Sequence, residues 1–234
     1  LHKEYRRQRQ MCIRDRVWTY WKGRSYAARG LNDLARTEYE KIANRITFYG
    51  KLSADALGRP YAFSHPPKEM PKASEIAQWG KNPSIRRAEV LYRMQLYREG
   101  HREWNWAMRG ISPYESIALA AYARQERLVH RMINTSMKSG TDLVVIEQRF
   151  PRPHAELIER VSSAQELPAS WVYGLIRQES RFIPAVSSSV GARGLMQLMP
   201  GTASWTARQL GIEHYDEGLS LIHISEPTRH AQIS

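Results

Sequence analysis

Residues 166–203 read ELPASWVYGLIRQESRFIPAVSSSVGARGLMQLMPGTA, and the fold of this stretch constrains the rest of the chain. Proline is favoured in a first helical turn, so a helix is predicted from near Pro168 to Glu179. Trp171, Leu175 and Glu179 recur every four positions and share one face, with Ile176 adjoining it. Glu179 therefore falls in the last turn, in line with an apolar stripe. Apolar surroundings disfavour a charged carboxylate, and the negative end of the helix dipole repels it. A general acid working near neutral pH needs that environment. Periodicity alone reads Glu179 more simply, as an exposed glutamate at a helix end.

The residues that follow change that balance. Gly191 and Gly194, three apart, allow tight turns or close backbone approach to a ligand. Leu195, Met196, Leu198 and Met199 are more apolar than an ordinary loop and enclose Gln197, a hydrogen-bonding group. PGTASWTARQLG then reads as a helix from Pro200 to Leu210, ended by Gly211. Upstream, Pro151 and Pro153 close one pattern and HAELIERVSS opens another helix.

From Val17 to about Phe150 the pattern is helical. In LNDLARTEYEKIANRI, Leu31, Leu34, Ala35, Tyr39, Ile42, Ala43 and Ile46 follow spacings of three and four. SIRRAEVLYRMQLYREG repeats this with Ile85, Ala88, Val90, Leu91, Met94 and Leu96, closing on Gly100 as a C-terminal stop. PYESIALAAYARQ follows from Pro113. Short helices joined by few-residue turns predict stacked helix pairs of the solenoid kind, though no clean repeat period runs through them. Trp18, Tyr20, Trp21, Trp104 and Trp106 are expected between helices. GRPYAFSHPPKEMP, with Pro60, Pro66, Pro67 and Pro71, is a loop.

The two ends read differently. MCIRDR, residues 11–16, can be encoded by ATGTGTATAAGAGACAG and one further base. The reverse complement of that DNA translates as LSLIH, which stands at residues 219–223. Two ends of a natural protein have no reason to be reverse complements, whereas a sequencing adapter at both ends of a DNA fragment produces this. Residues 1–16 and 219–234 are therefore expected to be adapter-derived and are set aside. The native segment is then about Val17–Gly218, a fragment expected to lack both true ends.

Of the 35 Lys/Arg and 23 Asp/Glu, seven and three lie in those tails, so 28 remain against 20 and the formal charge falls from +12 to +8. Dispersed positive charge suits an anionic partner: nucleic acid, membrane surface or acidic polymer. The single cysteine, Cys12, lies in a tail, which excludes a disulfide framework or thiolate metal site from the rest. No apolar run approaches the roughly 18 residues that span a bilayer.

RQESRF followed by SSSVGARGLMQLMPGTA resembles the signature of soluble lytic transglycosylases, bacterial enzymes of cell-wall turnover. Ser188, Gly191, Ala192, Gly194, Leu195, Met196, Gln197, Leu198, Met199, Pro200, Thr202 and Ala203 all fall in register with it. WTYWKGRSYAARG, ITFYGKLSADALG and EQRFPRPHAELIERVS resemble the helical superhelix and linker before the catalytic domain in large members. The resemblance implies an all-α fold: a helical superhelix and linker over 17–150, then the N-terminal part of a lysozyme-like α domain over 151–218. It implies a periplasmic lyase acting on peptidoglycan glycan strands, with no cofactor and no metal. Glu179 would be the catalytic acid and then base in cleaving the β-1,4 bond from N-acetylmuramic acid to N-acetylglucosamine, leaving a 1,6-anhydro ring. Ser188, Gln197 and Met199 would line the saccharide groove. Position 189 is Ser where the family often has Pro. The family's Tyr-Asn-Ala-Gly segment does not occur before residue 219, so the domain is expected to be incomplete and this chain inactive.

Two other readings compete with this one: a non-catalytic helical scaffold binding peptidoglycan or protein, and a hydrolase related to goose-type lysozyme. The intact RQES and GLMQLMP favour the lyase over the scaffold. A nucleic-acid partner is not expected, because no helix-turn-helix or base-stacking pattern supports the charge. Peripheral membrane association is compatible with that charge.

Overall fold

The computed structural model describes residues 16–60, 67–140, 143–184 and 186–211. The two adapter-like tails lie outside these residues apart from Arg16, as does the stretch 61–66 of the proline-rich loop. Helices account for the regular structure of the described residues, and β-type pairing there is limited to isolated bridges of Arg193 with Ser187 and with Leu198. The all-α expectation holds. The chain divides into two compact units: one holds the residues up to Pro67 together with the segment Gly140–Val144, the other Lys68–Ser139 and the chain from Val145 onward.

The first unit holds α1 (16–28), α2 (Asn32–Glu40) and α3 (Phe48–Ala56). Its core is a cluster of Tyr20, Ala35, Tyr39 and Ile42. Gly23 lets α1 approach this cluster, because a Cβ there would lie 2.5 Å from the Tyr39 ring. The helix read through to Ile46 stops at Glu40 instead, and turns carry the chain to α3. Thr47 starts α3 by accepting the Gly50 N–H at 3.0 Å.

The second unit opens with α4 (Ala73–Gln78), a 3-10 turn (Trp79–Lys81) and α5 (Pro83–Arg93). It continues with α6 (Tyr97–Ala107), α7 (Pro113–Gln125) and α8 (Val129–Ser136). Helices α5 and α6 pack as one pair, α7 and α8 as another. Their shared core includes Ile85, Tyr92, Trp104, Leu119, Ala123 and Met132. Trp104 is fully buried, and its indole N–H donates to Thr135 Oγ1 at 2.9 Å, so the ring brings no unsatisfied donor into the core.

Sequence dictates these helix starts. Asn82 caps α5, accepting from the N–H groups of Ser84 and Ile85 at 2.9 and 3.3 Å, with Pro83 in the first turn. Ser112 and Glu115 form a reciprocal capping box on α7. The single helix expected over 84–100 is two, broken at Met94–Leu96 where Gln95 has a φ of 60°. Gly100 is not a stop. It lies inside α6, buried, 2.5 Å (at the position of a Cβ) from the Tyr92 ring. Of the aromatic residues expected between helices, Tyr20 and Trp104 are buried whereas Trp18, Trp21 and Trp106 are exposed.

After α9 (Ile146–Arg149), α10 (Ala155–Ala164), α11 (Ala169–Glu179) and α12 (Pro200–Gln209) complete the described chain. Ile133 of α8, Ile158 of α10 and Ile176 of α11 form a second cluster with Phe182 and Leu195. Helix α8 thus faces both cores of this unit, with Met132 in one and its neighbour Ile133 in the other.

Candidate active site

Helix α11 buries the stripe Ala169, Val172, Tyr173 and Ile176 against this second cluster. The face read from sequence as apolar and enclosing turns outward: Trp171 is 70% and Leu175 47% exposed, and Glu179 is exposed beside them. Glu179 thus stands as periodicity alone reads it, an exposed glutamate at a helix end, and Trp171 and Leu175 do not enclose it. Among the described residues, the carboxylate closes the last turn of α11 on an open face.

Ser180 ends the helix, and it is buried. Its hydroxyl donates to Ile176 O at 3.2 Å and accepts the Phe182 N–H at 3.1 Å. Arg181 and Phe182 follow with φ of 52° and 65°, two consecutive non-glycine residues in the left-handed region. Burial of Phe182 in the second cluster holds this turn in place. Helix α11 ends at Glu179 as a result. Sequence reading singled out Glu179 but not this support, for which the Glu-Ser dipeptide was the available signal.

The segment 186–199 folds on itself. Ser188 N donates to Ala192 O at 2.9 Å, and Ala192 N to Ser188 Oγ at 3.0 Å. Arg193 and Leu198 exchange both backbone hydrogen bonds, at 3.0 and 3.1 Å. Gly191 and Gly194 have φ of 89° and 77°, the turns their spacing foretold. Gln197 donates both hydrogens of its side-chain amide inward, to Val186 O at 3.1 Å and Gly194 O at 2.9 Å. That leaves Oε1 for any other partner. Leu195 anchors the loop in the cluster that holds Ile176, while Met199 stands just before the first turn of α12, without a side-chain capping bond, and is 44% exposed. The structure thus fastens the loop carrying Ser188, Gln197 and Met199 to the core that carries α11.

Charge around the helix end is one-sided. Residues 180–211 contain no Asp or Glu, so Glu179 is the only carboxylate from α11 to α12. Arg177 lies two residues before it, over the Phe150 ring at 5.0 Å. Burial, then the nearby Arg181 and Arg149, lower the Arg177 pKa. Among the described residues, no three His, Cys, Asp or Glu come together as metal ligands would.

Comparison with known proteins gives two family matches, the Transglycosylase SLT domain over residues 156–220 and the Soluble lytic murein transglycosylase L domain over 78–141. The soluble lytic murein transglycosylase of Escherichia coli K12 is 29% identical over 198 residues, which are 85% of this chain and 30% of that protein. Lytic transglycosylase Slt from Pseudomonas aeruginosa, solved as an inactive mutant, is 31% identical with a TM-score of 0.73. That match covers 91% of this chain and 34% of the other. A 70 kDa soluble lytic transglycosylase solved in complex with bulgecin A is 28% identical with a TM-score of 0.70 over 91% of this chain and 33% of the other. The chain thus spans about a third of the length of the relatives it matches.

Proposed function

The chain belongs to the soluble lytic transglycosylases, and on that premise we propose that it serves non-hydrolytic cleavage of peptidoglycan glycan strands, with Glu179 as the catalytic residue. Glu179 protonates the glycosidic oxygen between N-acetylmuramic acid and N-acetylglucosamine as the leaving sugar departs. The same carboxylate then takes the proton of the muramoyl C6 hydroxyl, whose oxygen attacks C1 and closes the 1,6-anhydro ring. The substrate's own N-acetyl group stabilises positive charge at C1, so a second carboxylate is not needed, unlike the two-carboxylate glycosidases. The supporting observation is the solitary carboxylate at the end of α11, with a core-anchored loop carrying Ser188, Gln197 and Met199. Ser188 and Met199 are assigned to the saccharide groove; Gln197 shapes the loop and offers Oε1. Action on peptidoglycan places the protein on the periplasmic side of the cell.

Product analysis tests this. The protein is incubated with purified peptidoglycan, and released fragments are separated by mass. Anhydro ends lacking one water, lost on Glu179→Gln by about 100-fold or more in rate, are the expected result. Reducing ends would point to the goose-type hydrolase instead. Binding without products would favour the scaffold.

A further inference from the structure

A groove of about 520 Å3 lies between α4, the 3-10 turn, the Asn82 cap of α5 and α7, and neither α11 nor the 186–199 loop lines it. Its size falls in the range of small-ligand sites. Two half-buried aromatic rings, Trp79 and Tyr114, give it apolar faces. Around them stand polar groups that are held in place yet not saturated. One carboxylate oxygen of Glu75 accepts from Lys72 N–H at 2.7 Å and from the Tyr114 hydroxyl at 3.3 Å. Those bonds fix the carboxylate and leave Oε1 to accept from a ligand. Asn82 Oδ1 is occupied in capping α5, which orients its amide and leaves the two N–H groups to donate. Gln78 contributes a second amide and Lys81 a cation.

Rigid aromatic faces ringed by amides and a carboxylate suit a sugar. Its C–H faces cover the rings, while its hydroxyl and acetamido groups both donate and accept. Charge narrows the class further. The whole chain is +12, yet this groove holds two carboxylates, Glu75 and Glu115, against Lys81. An acidic polymer drawn to the protein at large meets repulsion here, and an uncharged amino sugar does not.

We propose that this groove is a second glycan-binding site, taking an N-acetylated amino-sugar segment of a strand apart from Glu179. Its residues fall almost entirely within the stretch matched by the L domain, residues 78–141. Only the identity of the strand rests on the peptidoglycan reading; binding at the groove does not need cleavage. The groove holds strand while Glu179 acts elsewhere on it.

The test titrates an N-acetylglucosamine tetramer into the full chain carrying Glu179→Gln, following tryptophan indole N–H signals by NMR. Trp79→Phe assigns the Trp79 signal. Saturable movement of that signal is expected, and Gln78→Ala, an exposed change that leaves the melting temperature in place, should weaken the fitted affinity about three- to tenfold, as loss of one or two net hydrogen bonds implies. Movement confined to other indoles, or none, overturns the proposal. So does equal movement with a sugar-free stem peptide, which would make this a peptide groove. Because Glu179→Gln removes cleavage from the readout, failure here leaves the lyase assignment standing, and failure of the product assay leaves this site standing.

Discussion

At the scale of single residues, the support of Glu179 carries as much as the carboxylate itself. Ser180 joins Ile176 O to Phe182 N through one buried hydroxyl. Ser180→Ala leaves the Phe182 N–H without a partner inside the protein, which costs about 1–3 kcal/mol. Urea unfolding should show that loss, and the product assay should show a further drop in rate at temperatures where the variant is folded. A full-rate variant would mean that the turn does not position Glu179. Gln197 makes a second test. Its amide nitrogen faces two carbonyl oxygens, Val186 O and Gly194 O. Gln197→Glu sets a carboxylate oxygen against both, so repulsion joins the lost bonds, while Gln197→Met, similar in length, loses the bonds alone. The Glu variant should unfold at a lower urea midpoint than the Met variant; the reverse order would refute the inward assignment of the amide.

At the scale of elements, Gly100 sets helix propensity against packing. Inside α6, Gly→Ala ordinarily gains about 1 kcal/mol. Here the new methyl would lie 2.5 and 2.7 Å from two ring carbons of Tyr92, which is buried in the core and cannot swing aside. Overpacking costs about 1–3 kcal/mol, so Gly100→Ala should lower the melting temperature despite the better helix former. Gly100→Ala with Tyr92→Leu should recover part of the loss, and no recovery would locate the strain elsewhere. The same residue shows what the sequence could and could not disclose. Helix α7 was legible because its signals are local: Ser112, Pro113 and Glu115 write the capping box into four consecutive residues. Gly100 was misread as a stop because its reason is a ring on α5, across a hairpin. The break before it was hidden because MQLY keeps apolar spacing through Gln95, a non-glycine residue at φ 60°. On α11 the spacing of Trp171, Leu175 and Glu179 was read correctly, but their direction was not. A second stripe, Ala169, Val172, Tyr173 and Ile176, was equally present in the sequence, and only the position of the core chooses between them.

At the scale of the molecule, acid sensitivity follows from a histidine pair packed between α6 and α8, of which His130 is buried. His101 and His130 stack at 5.3 Å, His130 meets Tyr92 edge-on at 5.1 Å, and His101 Nδ1 lies 3.1 Å from the Tyr92 hydroxyl. His130 is buried with no hydrogen-bond partner at Nε2. Burial, reinforced by Arg131, lowers the His101 pKa to about 4 and the His130 pKa to about 3, with His101 adding to the latter. In the unfolded chain both titrate near 6.5. Below that pH the unfolded state binds protons that the folded state refuses, so the contribution is complete above about 6.5 and is lost as pH falls toward the folded values. The slope approaches about 1.4 kcal/mol per pH unit for the proton on His130, and the half-exposed His101 adds less because water screens it. Glu38 and Glu115, both held below the ordinary carboxylate value by hydrogen bonds, lose their contributions only at lower pH. Between pH 6.5 and 5, among the described groups whose pKa is displaced, these two histidines therefore carry the change. Urea midpoints across that window should fall for the native protein. His130→Phe keeps the ring contacts, removes the orphaned nitrogen and should flatten the fall while leaving stability at pH 7.5 unchanged or higher. An equally steep fall in the variant would assign the acid sensitivity to other groups and leave the histidine pair as packing alone.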